Sequence, residues 1–308
     1  MNSFKTLLQR EWMQHQRGWI VLMTLPLAIY AALALFGSLH FDGLDGFDSE
    51  QPMGTDGPTL VAFGAIAGIA TLTLGLAWLA SMIQSPGLAR RDVQDRSIEF
   101  WLSLPISHLQ SLSAPLLVHL LLVPWTALLV GVGGGVVLSL LLVSKLFGVA
   151  AWFAVPWGTM IAAFVMLTLR IALGLLLATL WLSPLILGTM AASAWFKRWG
   201  VPLVVGVLSV GGPVLNVVYG QSLIVDALGS MWTHARHAFI AADGMASTRS
   251  LTIHSPDQIG DLLHALPGWA LADGGHAIAA LASPAFLCAL LFGAAAFGLL
   301  WLRRQRGA

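Results

Sequence analysis

Several runs of about twenty residues in this chain carry no formal charge, and each is long enough to cross a hydrocarbon core of roughly 30 Å as a helix. That feature restricts the fold more than any other. In lipid every backbone polar group must find its partner within the protein, so a spanning segment is either a helix or part of a closed barrel. The runs are continuous rather than alternating, which argues against a barrel. Composition agrees: 57% of the 308 residues are hydrophobic and only 9% are charged, against about 25% charged in a soluble domain. That is too little polar surface to clothe a globule of this size in water. The chain reads as an all-α polytopic membrane protein with six transmembrane helices. Its one cysteine, Cys288, lies in an apolar run, so an intrachain disulfide is excluded and a packing role is expected.

Residues 1–18 read as an N-terminal interfacial helix. Phe4, Leu7, Leu8, Trp12 and Met13 fall on one face, with Lys5, Gln9, Arg10, Gln16 and Arg17 around the rest. The stretch is too long and too amphipathic for the n-region of a signal peptide, although Ala32, Leu33 and Ala34 mimic a cleavage site. Spans 1–5 occupy 19–219. Span 1 covers about 19–38, span 2 about 59–84, span 3 about 114–143 and span 5 about 201–219. The loop between spans 1 and 2 holds Asp42, Asp45, Asp48, Glu50 and Asp56 and no Lys or Arg. The apolar region 149–194 is too long for one span and too short for two with a normal loop. It reads as an interfacial piece near Trp152–Trp157 followed by a tilted span 4, with Pro184 as a candidate break. A basic turn at 194–200 follows. Residues 220–276 read as an extracytoplasmic loop or small cap, helical around 226–241 and 256–266. Residues 277–308 hold span 6 and a basic cytoplasmic tail.

With the N-terminus inside, the four cytoplasmic segments hold eleven of the fifteen Lys and Arg residues and only four of the fourteen acids. Lys and Arg in short loops set orientation, so an even number of spans with both termini cytoplasmic fits a cell membrane, with the bacterial inner membrane as the expected location.

The loop 85–113, between spans 2 and 3, is the densest charged segment within the apolar part. Asp92 and Asp95 suit a helix start. Ile98, Trp101 and Leu102 then share one helical face, and Pro105 stops the turn. The pattern predicts a short amphipathic helix on the membrane surface with an aromatic knob at its centre. Such an element either is held by something outside the membrane or merely joins two spans.

Several chemistries have no signature here. A GxxxxGK[ST] loop is absent, and none of the three lysines follows a glycine. HExxH, CxxC and GxSxG are absent as well. His234 and His237 are spaced i, i+3, with His254, His264 and His276 farther along the same cap. They form either a metal site or a solvated histidine-bearing loop. Arg170 is the one charge inside the long apolar region. It is either an intramembrane functional charge or a side chain snorkelling to the outer interface, and the unsettled start of span 4 favours snorkelling. The pairs Gly131–Gly135 and Gly64–Gly68 permit close helix contact, within a protomer or between protomers.

Two stretches resemble a known family. LLQREWMQHQRGWIVLM is similar to the start of type-2 ABC exporter permeases, where an acid in a basic context precedes the first span; Glu11, followed by Trp12, stands in that place. RDVQDRSIEFWLSLPISHLQ resembles the cytoplasmic loop between spans 2 and 3 of that family, with Glu99, Trp101, Leu102, Leu104, Pro105, Ile106 and Ser107 at the matching positions. Where the family often has Gly-Thr, this chain has Arg96 and Ser97, and no lysine follows the proline turn. The resemblance implies a permease subunit that is not itself an enzyme and carries no cofactor. It implies a separate ATP-binding subunit holding ATP and Mg, and a second permease chain, identical or different, in a dimer. It makes the segment around Asp92, Asp95, Arg96, Glu99, Trp101 and Leu102 the coupling helix seated in the ATPase. Membrane lipid is the other expected partner, and nucleic acid is not.

Two functions follow as expectations. The first is the membrane half of an ATP-driven exporter moving an amphipathic, lipid-like, drug or peptide substrate. The alternative is a membrane-bound enzyme or metal-handling protein with its site in the histidine-bearing outer cap.

Overall fold

A computed structural model describes residues 3–37, 56–89, 107–241 and 258–306. All regular structure among these residues is helical. Six helical stretches are long and apolar enough to cross a membrane: Phe4–Phe36, Gly57–Leu88, His108–Phe147, Trp157–Trp181, Ser183–Tyr219 and Pro284–Gln305. The chain is therefore an all-α, membrane-type protein, as the charge-free runs require.

Helix α1 (Ser3–Phe36) runs without interruption. The interfacial helix expected at 1–18 is not a separate element: its described residues continue directly through Gly18 into the first span. At about 1.5 Å per residue the helix is longer than a hydrocarbon core is thick, so its polar first turns project beyond it. Helix α2 (Gly57–Leu88) follows, and the loop 90–106 lies outside the described residues, including the expected amphipathic helix. Helix α3 (His108–Leu117) starts where Ser107 caps it, its Oγ accepting the Gln110 N–H at 3.2 Å. A π turn at Val118–Leu122 joins α3 to α4 (Val123–Phe147), with the Val123 N–H reaching back to the Val118 carbonyl. Pro124 follows immediately and withholds its own N–H, which accounts for the disturbed ladder.

Helix α4 packs most closely on α2. A Cβ added to Gly131 would lie 2.7 Å from Ala70 Cα, and one added to Gly135 would lie 2.5 Å from Ile66 Cα. The Gly131–Gly135 pair therefore serves packing within the protomer. Gly64 and Gly68 have open space before them and line a shallow cavity of about 290 Å³ with Tyr30 and Leu142. At the end of α4, Lys145 Nζ donates to the carbonyls of Ala34 (2.6 Å) and Gly37 (2.7 Å), placing a cation on the carbonyl end of α1.

The region 149–196 divides into short α5 (Val149–Ala154), α6 (Trp157–Trp181) and α7 (Ser183–Phe196). The α6–α7 junction falls at Leu182, just before Pro184, at the break read from the sequence. Lys197, with φ 54°, then turns the chain, and Gly200 packs back against Ala192 and Ser193. A second run comprises α8 (Gly200–Gly206), a π turn at Val207–Gly211 and α9 (Gly212–Tyr219). Here too a proline, Pro213, follows the π turn.

The segment expected as an outer loop or small cap, which falls between the fifth and sixth of these stretches, packs closely against the other helices. Helix α10 (Leu223–His237) and especially α11 (Ile259–Ala279) belong to the packed body. Ile259, Leu263 and Leu266 join Ala62, Ile66, Met160 and Phe164 in one apolar core, and Ala235 and Ala238 join Leu177, Trp181 and Ile186 in another. The polar residues of α11 lowered its hydropathy, while its buried side kept helical spacing. Helix α12 (Pro284–Gln305) closes the fold.

The basic segments gather at one end. Arg304 Nη2 donates to Ser111 Oγ at 2.7 Å, and Arg303 and Arg306 lie over the Trp195 ring at 5.4 and 5.9 Å. His15 of α1 shares a cavity wall with Lys197 and Arg198. The first turns of α1, the last of α2 and α12, the start of α3 and the basic turn thus lie together.

Candidate functional site

Two polar clusters are buried in this apolar body. The first is built on Arg170, in the middle of α6 and 4% exposed. Its Nε donates to Asp273 Oδ2 at 2.8 Å, and Nη2 lies 2.6 Å from the same oxygen. Its Nη1 donates to the Ala238 carbonyl at 2.7 Å, at the C-terminal end of α10, where the helix dipole favours a cation. The other carboxylate oxygen, Asp273 Oδ1, accepts the Ala241 N–H at 2.9 Å. Asp273 is 1% exposed. The guanidinium therefore does not snorkel: it is held inside the bundle by an acid from α11 and a carbonyl from α10. One turn beyond Arg170 stands Gly174, where an added Cβ would meet the Ala238 carbonyl at 2.8 Å. The absent side chain is what lets residues 238–239 lie against α6 within reach of Arg170.

His234, one turn before Ala238, stacks on the buried Trp181 with ring centroids 4.1 Å apart and planes 17° apart, and its Nδ1 lies 2.7 Å from the Ser230 carbonyl. It thus braces the end of α10 that Arg170 holds. The described histidines of the expected cap, His234, His237, His264 and His276, do not form a group of three metal ligands with one another. His254 lies outside the described residues.

The second cluster joins α1 to the π turn. Glu11 is 2% exposed and His119 fully buried. Glu11 Oε1 lies 3.5 Å from Arg10 Nη2, and Oε2 lies 3.9 Å from His119 Nε2. His15, one turn on from Glu11, meets His119 edge to face at 5.0 Å between centroids, and Trp19 meets it at 5.7 Å from the other side. Neither ring nitrogen of His119 has a hydrogen-bond partner among the described residues. A buried unsatisfied polar group costs about 1–3 kcal/mol, so this imidazole is retained at a cost.

Beside this cluster lies a cavity of about 680 Å³ at the basic end, between the last turns of α2 and α7. Its walls mix Met82, Ile83 and Leu185 with Gln84, Lys197 and Arg198.

Of the residues singled out in the sequence, Glu11 enters the second cluster, and Trp12 packs partly buried against the core of Trp19, Met23 and Val123. Asp92, Asp95, Arg96, Glu99, Trp101 and Leu102 lie outside the described residues. Asp273, His15 and His119 escaped the sequence reading. His119 had a visible signal, a titratable ring inside an uncharged apolar run. Asp273 was hidden by its assignment to a solvated cap.

No family model, curated protein or solved structure matches this chain.

Proposed function

We propose that this chain is the membrane-spanning permease subunit of a type-2 ABC exporter in a bacterial inner membrane, with both termini cytoplasmic. The observation that carries the reading is where the loop 90–106 is tethered. The end of α2 at Leu88 and the start of α3 at His108 lie at the end where the basic turn and tail gather, and the family-like residues fall between them in the sequence. Charge at that end fits a cytoplasmic face, and the chain has no phosphate-binding loop of its own. An ATP-binding subunit holding ATP and Mg would seat there on Asp92, Asp95, Arg96, Glu99, Trp101 and Leu102. Closure of the ATPases would push on α2 and α3 together, a rigid-body transmission. The mixed apolar and cationic walls of the 680 Å³ cavity support an amphipathic substrate, lipid-like, drug or peptide in chemistry. The apolar helix from Gly200 to Tyr219 buries only Gly200 and Gly212, leaving a face for a second permease chain or for lipid.

Purification of the tagged chain from native membranes tests the proposal. The expected result is a stoichiometric partner carrying a GxxxxGK[ST] loop, whose ATPase activity depends on this chain. Trp101→Ala and Glu99→Lys are expected to abolish transport while membrane insertion is retained. Full transport by both variants would remove the coupling assignment.

A further inference from the structure

We propose that Glu11, His15 and His119 form a site for a divalent transition metal, with Zn²⁺ the best match. Their candidate ligand atoms, one from each residue, all lie within 4.8 Å of one another. Two imidazoles and one carboxylate are a donor set that zinc accepts with water as the fourth ligand. Donors about 2.0–2.2 Å from a common ion must lie closer together than these do, so binding draws the side chains inward. His15 is half-buried on the cavity wall and has room to make that movement.

Three further observations point to a ligand. His119 is fully buried with neither ring nitrogen hydrogen-bonded, although both point into protein. Its separation of 3.9 Å from Glu11 Oε2 is too long for a direct hydrogen bond. His119 also sits on the π turn Val118–Leu122, an irregularity that recurs at functional sites. Finally, His15 Nδ1 faces the Glu11 carbonyl at 3.4 Å. A proton held on Nδ1 by that carbonyl gives the tautomer in which a histidine ligates a metal through Nε2. Glu11 keeps Arg10 beside Oε1, so Oε2 is the oxygen directed to the site. A bound ion would tie the first turns of α1 to the helix that begins at His108. This inference needs only these three side chains and is independent of the permease reading. A single water bridging the same three groups is the competing occupant.

The test is a zinc titration of the full chain, carrying a tag without histidine, in detergent after chelator treatment. One Zn²⁺ per chain is expected. Co²⁺ alone in place of zinc should give visible absorption bands of a four-coordinate centre. His119→Ala and Glu11→Gln should each weaken binding more than about a hundredfold, beyond the 10–100-fold that outer-shell changes cost. The distant pair His234→Ala with His237→Ala should leave it unchanged. If His119→Ala does not fold, His15→Gln, on a half-buried position, gives the same reading. Absence of stoichiometric zinc in the unaltered chain, as a bridging water implies, would overturn the site. So would undiminished binding by the His119→Ala or His15→Gln variants.

Discussion

The Arg170–Asp273 cluster and the Glu11–His15–His119 cluster place polar groups in the same apolar body in opposite ways. In the first, the acid and the base meet at 2.6–2.8 Å, and Ala238 and Ala241 supply a backbone acceptor and a backbone donor. In the second, the carboxylate and imidazole stop at 3.9 Å, and His119 has no hydrogen bond among the described residues. Satisfied buried networks rigidify a fold, whereas unsatisfied ones must be tolerated for another reason. The comparison separates a fixed brace, joining α6, α10 and α11, from a cluster whose buried imidazole makes no hydrogen bond among the described residues.

Removing one partner of the brace should have the largest effect. Arg170→Ala leaves Asp273 buried and uncompensated, and a loss of about 3–5 kcal/mol is expected, read as a lower unfolding midpoint in detergent. The double variant Arg170→Met with Asp273→Leu should recover much of it, since a buried pair is often replaceable by apolar residues. A single variant within about 1 kcal/mol of the parent would show that the pair is not a brace.

His234→Ala should cost less, about 0.5–1.5 kcal/mol, because it removes the stacking on Trp181 that steadies the end of α10. A double-mutant cycle with Arg170→Ala sharpens this: a coupling above about 0.5 kcal/mol makes the stack part of the brace, and simple additivity separates the two.

The smallest change is expected at His119. Without added metal, His119→Leu should raise stability by about 1 kcal/mol, the lower end of the cost of its unsatisfied nitrogens, because the polar atoms it removes have no hydrogen-bond partners to orphan. With zinc present the parent should gain stability by mass action, and the variant should not. If metal-free His119→Leu were as damaging as Arg170→Ala, the contrast between the clusters would fail.

Much of the architecture could be read from local pattern. Uncharged run lengths gave the helical membrane class, and Lys and Arg placement anticipated which ends would gather. Pro184 marked the α6–α7 junction. The reading failed at α11, where Asp261, His264, Asp273 and His276 suggested water. Yet Ile259, Leu263, Leu266, Ala270 and Ala277 recur on one buried side. It also sent Arg170 toward the interface, because the start of span 4 was unsettled and the acid that holds Arg170 lies 103 positions away in the chain.

Sequence by itself determined that this chain must be helical and membrane-like, since hydropathy and span length act over contiguous residues. Only the tertiary structure decided which polar groups meet. Arg170 and Asp273 are 103 positions apart in the chain, and His119 reaches Glu11 and His15 from a different helix. Such pairings depend on which helix faces come together and how closely glycines such as Gly131, Gly135 and Gly174 let backbones approach. Those are properties of packing between distant segments, to which a local periodicity is blind.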